Sequence, residues 1–419
     1  MFTKFQKTYR EFPSSFWVIV LARFIDGLGS TLLFPFFALY ITQKFSVGMT
    51  QAGIMLGVSS LAGLFGGMFG GALADKFGRK SIILFGLIFS AVSSIALGLT
   101  NDIKVMFVLS IFVGLIGSIG HPAHGAMIAD ILVEEKRQEG FGILRVVGNM
   151  SWLVGPTIGG FVASRSYLAL FIADAVVSCI VAMIVYRYIA ESKPAPHPDE
   201  EHQTLMQTFA GYGTVLRDFA FVAFITASIL MTAVYQQMYN SLSVFLRDNH
   251  GIDPQGYGFL LSTSAVTVIL FQFWTTRRIK RYPPFLMMGA GAVFYAIGFG
   301  LFGFVATLAL FAMNIVIITI GEMFIMPVSQ ALVAGFAPEE MRGRYMAVSG
   351  LVWMIPSTFG PGLAGYLLDN FNPNLLWYIG GVLCLGSALA FYALHLRLGN
   401  RSQFAPSKKQ NSPLPAVSD

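Results

Sequence analysis

Apolar runs about twenty residues long recur along this chain with short polar breaks between them, and that recurrence leaves few folds open. About twenty mostly apolar residues are what one helix needs to cross a hydrocarbon layer. The runs predict spans at Phe16–Ile41, Gln51–Leu73, Ser81–Leu99, Val105–Ile128, Phe141–Ala163 and Leu168–Tyr188. Six more are predicted at Phe219–Phe245, Gly256–Trp274, Phe285–Val305, Thr307–Ala334, Met346–Leu368 and Leu375–His395. Twelve such helices consume nearly all of the 419 residues. Only 11% of the chain is charged and 55% is hydrophobic, against roughly 25% charged in an ordinary soluble domain. The fold class expected is therefore an all-α membrane protein of twelve transmembrane helices.

The net charge of +6 could suggest a nucleic-acid partner, but the basic residues alternate with the spans instead of forming one patch. If the N-terminus is cytoplasmic, the breaks on that side hold clusters such as Lys76, Arg79 and Lys80, or Arg277, Arg278, Lys280 and Arg281. The other side holds only Lys44, Lys104, Arg165 and Arg247. Basic residues concentrate in cytoplasmic loops, so both termini are expected in the cytoplasm and the protein in the inner (plasma) membrane. No nucleic-acid partner is implied. Cys179 and Cys384 each fall inside an apolar run, so burial as small hydrophobes is expected rather than a disulfide. The first apolar run follows Lys4, Lys7 and Arg10 but is too long for a signal core, and reads as the first span.

The longest polar insertion, 190–218, carries Pro194, Pro196, Pro198, Asp199, Glu200 and Glu201 and divides the chain six helices to six. Residues 1–189 and 219–397 are expected as two six-helix bundles, 190–218 as a cytoplasmic linker, and 398–419 as a disordered cytoplasmic tail. A shift of 205 residues superimposes Gly155-Pro156 on Gly360-Pro361, Gly160 on Gly365, Pro122 on Pro327, Arg137 on Arg342 and Cys179 on Cys384. Two repeats of even helix number share one orientation, so their axis lies along the membrane normal, as in transporters that rock two bundles about a central site.

The break after the second span reads Gly71-Ala-Leu-Ala-Asp75-Lys76-Phe-Gly78-Arg79-Lys80. Gly78 suits a tight turn and the charges suit a membrane edge. This run resembles the signature of the major facilitator superfamily, Gly-x-Leu-Ala-Asp-Arg-x-Gly-Arg-Lys, with Lys76 in an Arg position. The resemblance implies two pseudo-symmetric six-helix bundles, and gives Asp75, Gly78 and Arg79 a gating role, clamping the bundles with Asp130 as acidic partner. The second-half counterpart, Thr276-Arg277-Arg278-Ile-Lys280-Arg281, lacks the Gly and Asp pattern, so an asymmetric clamp is implied. In the fifth span, Gly148 and Gly155-Pro156-Thr-Ile-Gly159-Gly160 resemble the motif of the family's antiporter branch. Small residues let helices pack closely in lipid, and Pro156 removes a backbone donor and bends the span.

Charges inside the spans are the candidates for function, because a charge at the membrane centre costs about 2.5–3.5 kcal/mol on insertion scales. Arg23 and Asp26 are three residues apart on one helical face; Asp26 exchanges protons or binds a cation, or the two form a structural pair. Glu322 stands in Gly321-Glu322-Met-Phe-Ile-Met-Pro327 with no basic residue nearby in sequence. A carboxyl in a low-dielectric site without a counter-charge favours its neutral form, which suits proton exchange. The arrangement resembles that of bacterial multidrug/proton antiporters, and peptide/proton symporters have a similar acid. Arg145 and Asn149 are four apart, with Arg145 a counter-charge for Asp26 or Glu322. Tyr235, Gln236, Gln237, Tyr239 and Asn240 offer hydrogen bonds to a substrate. Asp174 has no partner visible in sequence. His121 and His124 flank Pro122 but lack a local carboxylate or thiol to complete a metal site, and read as a polar kink.

One departure counts against the drug-antiporter scheme: Ser110 precedes Gly114 where those proteins usually carry an Arg. The function expected is still a secondary active transporter, a proton-coupled exporter of lipophilic or cationic drug-like compounds working by alternating access. The alternative is a symporter or facilitator for a sugar, peptide or lipid-like metabolite. The expected partners are a small-molecule substrate, protons and the lipid bilayer, with the protein acting as a monomer without cofactor or metal. A membrane enzyme is not expected, because no nucleophile with a base and no metal cluster is evident.

Overall fold

The structure, a computed structural model, describes residues 11–192, 213–338, 341–399, 401 and 404. Most of the expected 190–218 linker, with its prolines and acids, and most of the expected 398–419 tail lie outside the described residues, as do Lys4, Lys7 and Arg10. Among the described residues, twelve helices are long and apolar enough to cross a membrane. They are α1 (Ser14–Phe45), α2 (Met49–Phe77), α3 (Arg79–Leu99), α4 (Ile103–Ile131), α5 (Glu134–Ala163) and α6 (Tyr167–Tyr188). The second six are α7 (Phe219–Asn240), α8 (Pro254–Ile279), α9 (Pro284–Leu301), α10 (Leu308–Phe336), α11 (Arg342–Asn370) and α12 (Leu375–Leu398). The sequence order of apolar runs is thus the order of helices.

Helix starts follow local capping chemistry. Asp102 accepts from the Lys104 amide at 2.7 Å ahead of α4, Asp218 from Ala220 and Phe221 at 3.1 Å ahead of α7, and Asp253 from Gly256 at 2.8 Å ahead of α8. Each carboxylate satisfies amides that the first turn leaves without partners. Several ends differ from the apolar runs. Helix α2 continues through Ala74–Phe77, past the expected end of the span at Leu73; only Gly78, at φ +97°, breaks the chain there. A helix does not stop where the hydrocarbon stops, and the polar residues here are helix-compatible once in water.

Four spans are broken internally. In α1 a 3-10 turn occupies Phe34–Phe36 around Pro35, and α4 is interrupted at Ser118–Ile119, just ahead of His121 and His124. In α7 the break falls at Gln236, and beyond its end at Asn240 the segment Leu242–His250 continues as a further helix. The fourth is at Gly350 in α11. By contrast, the helices run through Pro156, Pro327, Pro356 and Pro361 without ending.

Packing is dense within the first six helices, where α1 meets α5 and α6, α3 meets α6 and α2 meets α4. It is equally dense within the last six, where α9 meets α10 and α12 and α7 meets α11 and α12. Contact across the halves is concentrated in α2 against α11 and α5 against α8. Large apolar side chains such as Met68, Phe69, Ile88, Phe273, Trp274 and Leu389 point outward, more than half exposed; that much outward apolar surface suits lipid and not water. Cys384 is buried, but Cys179 is exposed on the outer face of α6, so the burial expected for both holds for one. A helix that is apolar all round does not tell by its sequence which side faces lipid and which is packed.

Candidate functional site

Two cavities meet inside the molecule and share a wall. The first, about 460 Å³, lies within the first six helices and is lined by Arg23, Asp26, His121, His124, Phe141, Arg145 and Asn149 among others. The second, about 430 Å³, lies between α5 and the second half, lined by Glu322, Tyr235, Gln236, Tyr239, Asn240, Ser264, Gln272 and Trp353. Arg145, Asn149 and Trp152, on successive turns of α5, border both.

In the first cavity Arg23 and Asp26 form an ion pair at 3.3 Å across one turn of α1. His121 is within electrostatic reach of both. Among the described residues no group of three or more His, Cys, Asp or Glu side chains is arranged to hold a metal ion. Asp174 stands apart from the cavity, 8% exposed, and the structure supplies the partner the sequence did not show: Ser94 donates to it at 2.5 Å.

In the second cavity Tyr235 and Glu322 both line the wall, and the Tyr235 hydroxyl is hydrogen-bonded to Tyr239 at 3.1 Å. Tyr235 stacks on Tyr295 with centroids 5.4 Å apart, and Trp152 meets Tyr239 edge-on at 5.0 Å. The Gln236 amide donates to the Trp353 carbonyl at 3.1 Å. Of the five polar residues expected here, Gln237 is the exception: its amide donates to Ala233 at 2.9 Å and accepts from Ser241 at 2.8 Å. The break at Gln236 turns it into the α7 backbone and away from the cavity.

Arg145, expected as a counter-charge for Asp26 or Glu322, lines both of their cavities. Among the described residues it forms an ion pair with neither Asp26 nor Glu322. Asp26 is held by Arg23 one turn away, and Glu322 stands on another helix, α10. Ser110 is buried and donates to the Met106 carbonyl at 2.8 Å, away from both cavities.

The glycine motif of α5 divides its work. A Cβ at Gly155 would strike Thr31 of α1, one at Gly159 the Leu32 carbonyl, and one at Gly160 the Pro254 carbonyl of α8. Gly148, expected as a packing residue, has nothing near its missing Cβ and borders the first cavity instead.

The charged cluster around Gly78 is brought together as the motif suggests. Arg79 pairs with Asp75 at 2.7 Å and with Asp130 at 3.3 Å. Sequence reasoning missed Glu191, which accepts from the Arg79 and Lys80 amides at 2.8 and 3.1 Å. Ser192 donates to Asp130 at 3.1 Å. The two ion pairs of Arg79 lie within the first half, and Glu191 and Ser192, at the start of the expected linker, tie it to that cluster.

Comparison with known proteins places this architecture among described relatives. The sequence model of the Major Facilitator Superfamily matches residues 19–248 and 236–418. The "Na(+), Li(+), K(+)/H(+) antiporter" of Planococcus maritimus is 24% identical over 84% of this chain and 89% of its own. "Multidrug resistance protein MdtH" of Cronobacter sakazakii is 24% identical over 87% of this chain and 90% of its own. A solved POT family transporter in complex with 5-aminolevulinic acid superimposes with a TM-score of 0.78 at 15% identity, over 92% of this chain and 96% of that one. At that identity the likeness is one of fold.

Proposed function

The chain belongs to the major facilitator superfamily and is a multi-pass membrane transporter rather than an enzyme; from that premise we propose that it exports lipophilic or cationic compounds in exchange for protons. The observation that carries this reading is Glu322: a carboxyl in an aromatic-walled cavity between the halves, held in no ion pair among the described residues. Such a group can hold either a proton or a cationic substrate, but not both. Trp152, Tyr239 and Trp353 add ring faces that attract organic cations and suit greasy bodies. Asp26, in the adjoining cavity, is the second proton-carrying group, with Arg23 modulating it. The two relatives described above, named as an antiporter and as a multidrug resistance protein, favour exchange over symport.

The basic end of the bundle, which carries Lys76, Arg79 and Lys80, is the cytoplasmic end, with both termini on that side of the plasma membrane. Protonation from outside then releases substrate outward, and deprotonation inside readmits it. One charge moved through about 100 mV supplies about 2.3 kcal/mol, enough for roughly a fiftyfold gradient.

The test uses proteoliposomes with an imposed pH gradient, read as its dissipation when tetraphenylphosphonium, or Na⁺, K⁺ or Li⁺, is added. Proton flux evoked by tetraphenylphosphonium, lost in Glu322→Gln and in Asp26→Asn, is the expected result. Flux evoked only by the alkali cations would replace organic substrates with inorganic ones. Silence throughout from a folded protein would return the metabolite symporter or facilitator to first place.

A further inference from the structure

We propose that Asp369 is a further residue of the transport cycle, a latch that holds the two halves together at the end opposite the basic loops. Asp369 ends α11, yet its carboxylate accepts from the amides of Met49 and Thr50 at 2.9 and 2.7 Å and from the Thr50 hydroxyl at 2.6 Å. Those groups open α2, in the other half. The N-cap position of α2 is Gly48, which has no side chain to offer, and a Cβ there would strike the Asp369 carboxylate.

The internal repeat supplies a control within the same molecule. The shift of 205 carries the α2–α11 contact onto the α8–α5 contact residue by residue. Gly53 lies against the Pro361 carbonyl as Gly258 lies against that of Pro156; Gly365 lies against Met49 as Gly160 lies against Pro254. The same shift carries Gly48 onto Asp253 and Asp369 onto Ser164. In the α8–α5 contact the capping acid therefore belongs to the capped helix: Asp253 holds its own Gly256 amide at 2.8 Å, and Ser164 turns back to Phe161 at 2.9 Å.

Two helix starts, alike in backbone packing, are thus capped in different ways. The α8 cap survives any movement of the halves. The α2 cap exists only while the halves touch at this end, and its loss leaves first-turn amides without a partner. A carboxylate at a helix N-terminus also gains from the aligned peptide dipoles. Asp369 accordingly favours the state closed at this end, and its contact must break for the cavities to open there. A second strap lies nearby, where Arg247 donates to Thr42 across the halves at 3.0 Å.

The inference rests on the alternating-access part of the proposed function, but not on substrate or proton, so it is tested without either. Spin labels at Asn101→Cys and Asn372→Cys, in a Cys179→Ser background in lipid nanodiscs, report the separation of the halves at this end. Asp369→Ser is expected to raise the open-to-closed ratio about fivefold, the size of a lost cap, and Thr50→Val to raise it by less. The decisive variant is Gly48→Asp/Asp369→Ser, which transplants the α8 arrangement: it restores the helix cap and thermal stability while the long-distance population persists. If Asp369→Ser leaves the distances unchanged, or if the double variant returns them to wild type, Asp369 is only a cap and the latch is wrong. Because the double variant and Thr50→Val keep a capped or nearly capped α2, failure of Asp369→Ser to fold would not hide the answer.

Discussion

The two cavities differ more than their similar size suggests. The one inside the first half holds the Arg23–Asp26 ion pair and two histidines of α4; the one between the halves sets Glu322 among tyrosines, amides and tryptophans, and Arg145 stands on the wall they share. In the first, the charges answer one another at 3.3 Å. In the second, Glu322 forms no ion pair among the described residues, and its surroundings offer hydrogen bonds and ring faces. An acid already held in an ion pair has less to offer a charged ligand than one that is not. On the proposed reading, substrate therefore belongs to the second cavity and a proton-linked or structural task to the first.

The sharpest way to break that assignment is to remove the matched pair. Arg23→Gln leaves Asp26 alone and is expected to lower coupled transport more than tenfold; Arg23→Gln/Asp26→Asn, which removes both charges, should recover thermal stability without recovering proton flux. Recovery of flux in the double variant, measured in the same proteoliposomes, would make the pair structural. A smaller effect tests the shared wall. Trp152→Ala deletes the edge contact with Tyr239 and one ring face, so the apparent affinity for tetraphenylphosphonium should fall about tenfold, near 1.4 kcal/mol, while Trp152→Phe retains most of it. Smallest of the three, Tyr239→Phe removes the hydroxyl partner of Tyr235 and should weaken binding by a few-fold, on the order of 1 kcal/mol. An effect of Tyr239→Phe larger than that of Trp152→Ala would mean that hydrogen bonding, not ring contact, dominates recognition.

The helices were legible because crossing hydrocarbon demands long apolar runs, and the repeat because its glycines and prolines are fixed by close packing. Arg23, Asp26, Arg145 and Glu322 stood out as charges among apolar neighbours, and all four line the cavities. Glu191 and Asp369 did not, since an acid at a membrane edge is ordinary in sequence and gains meaning only from which amides it reaches. Trp152 and Trp353 were likewise invisible: an aromatic on a spanning helix looks the same whether it faces lipid or a cavity. The orientation of Gln237 was misjudged because a helix break resets the angular register on which face assignments depend. The grouping of Arg79 with Asp75 and Asp130 was legible from the motif, but the reach of Glu191 to its amide was not, because that contact spans more than a hundred residues of sequence.

The glycine contacts of α2 with α11 and of α5 with α8 have one more consequence. At Gly53, Gly258, Gly160 and Gly365 it is backbone that meets backbone, so no side chains interlock at these four points. Surfaces that mesh through long side chains must change rotamers to slide; surfaces this smooth need not. The seams behave like the two faces of a journal bearing, tight enough to exclude solvent yet free to turn. Any larger residue there would act as grit, slowing the exchange between states more than it alters which state is preferred.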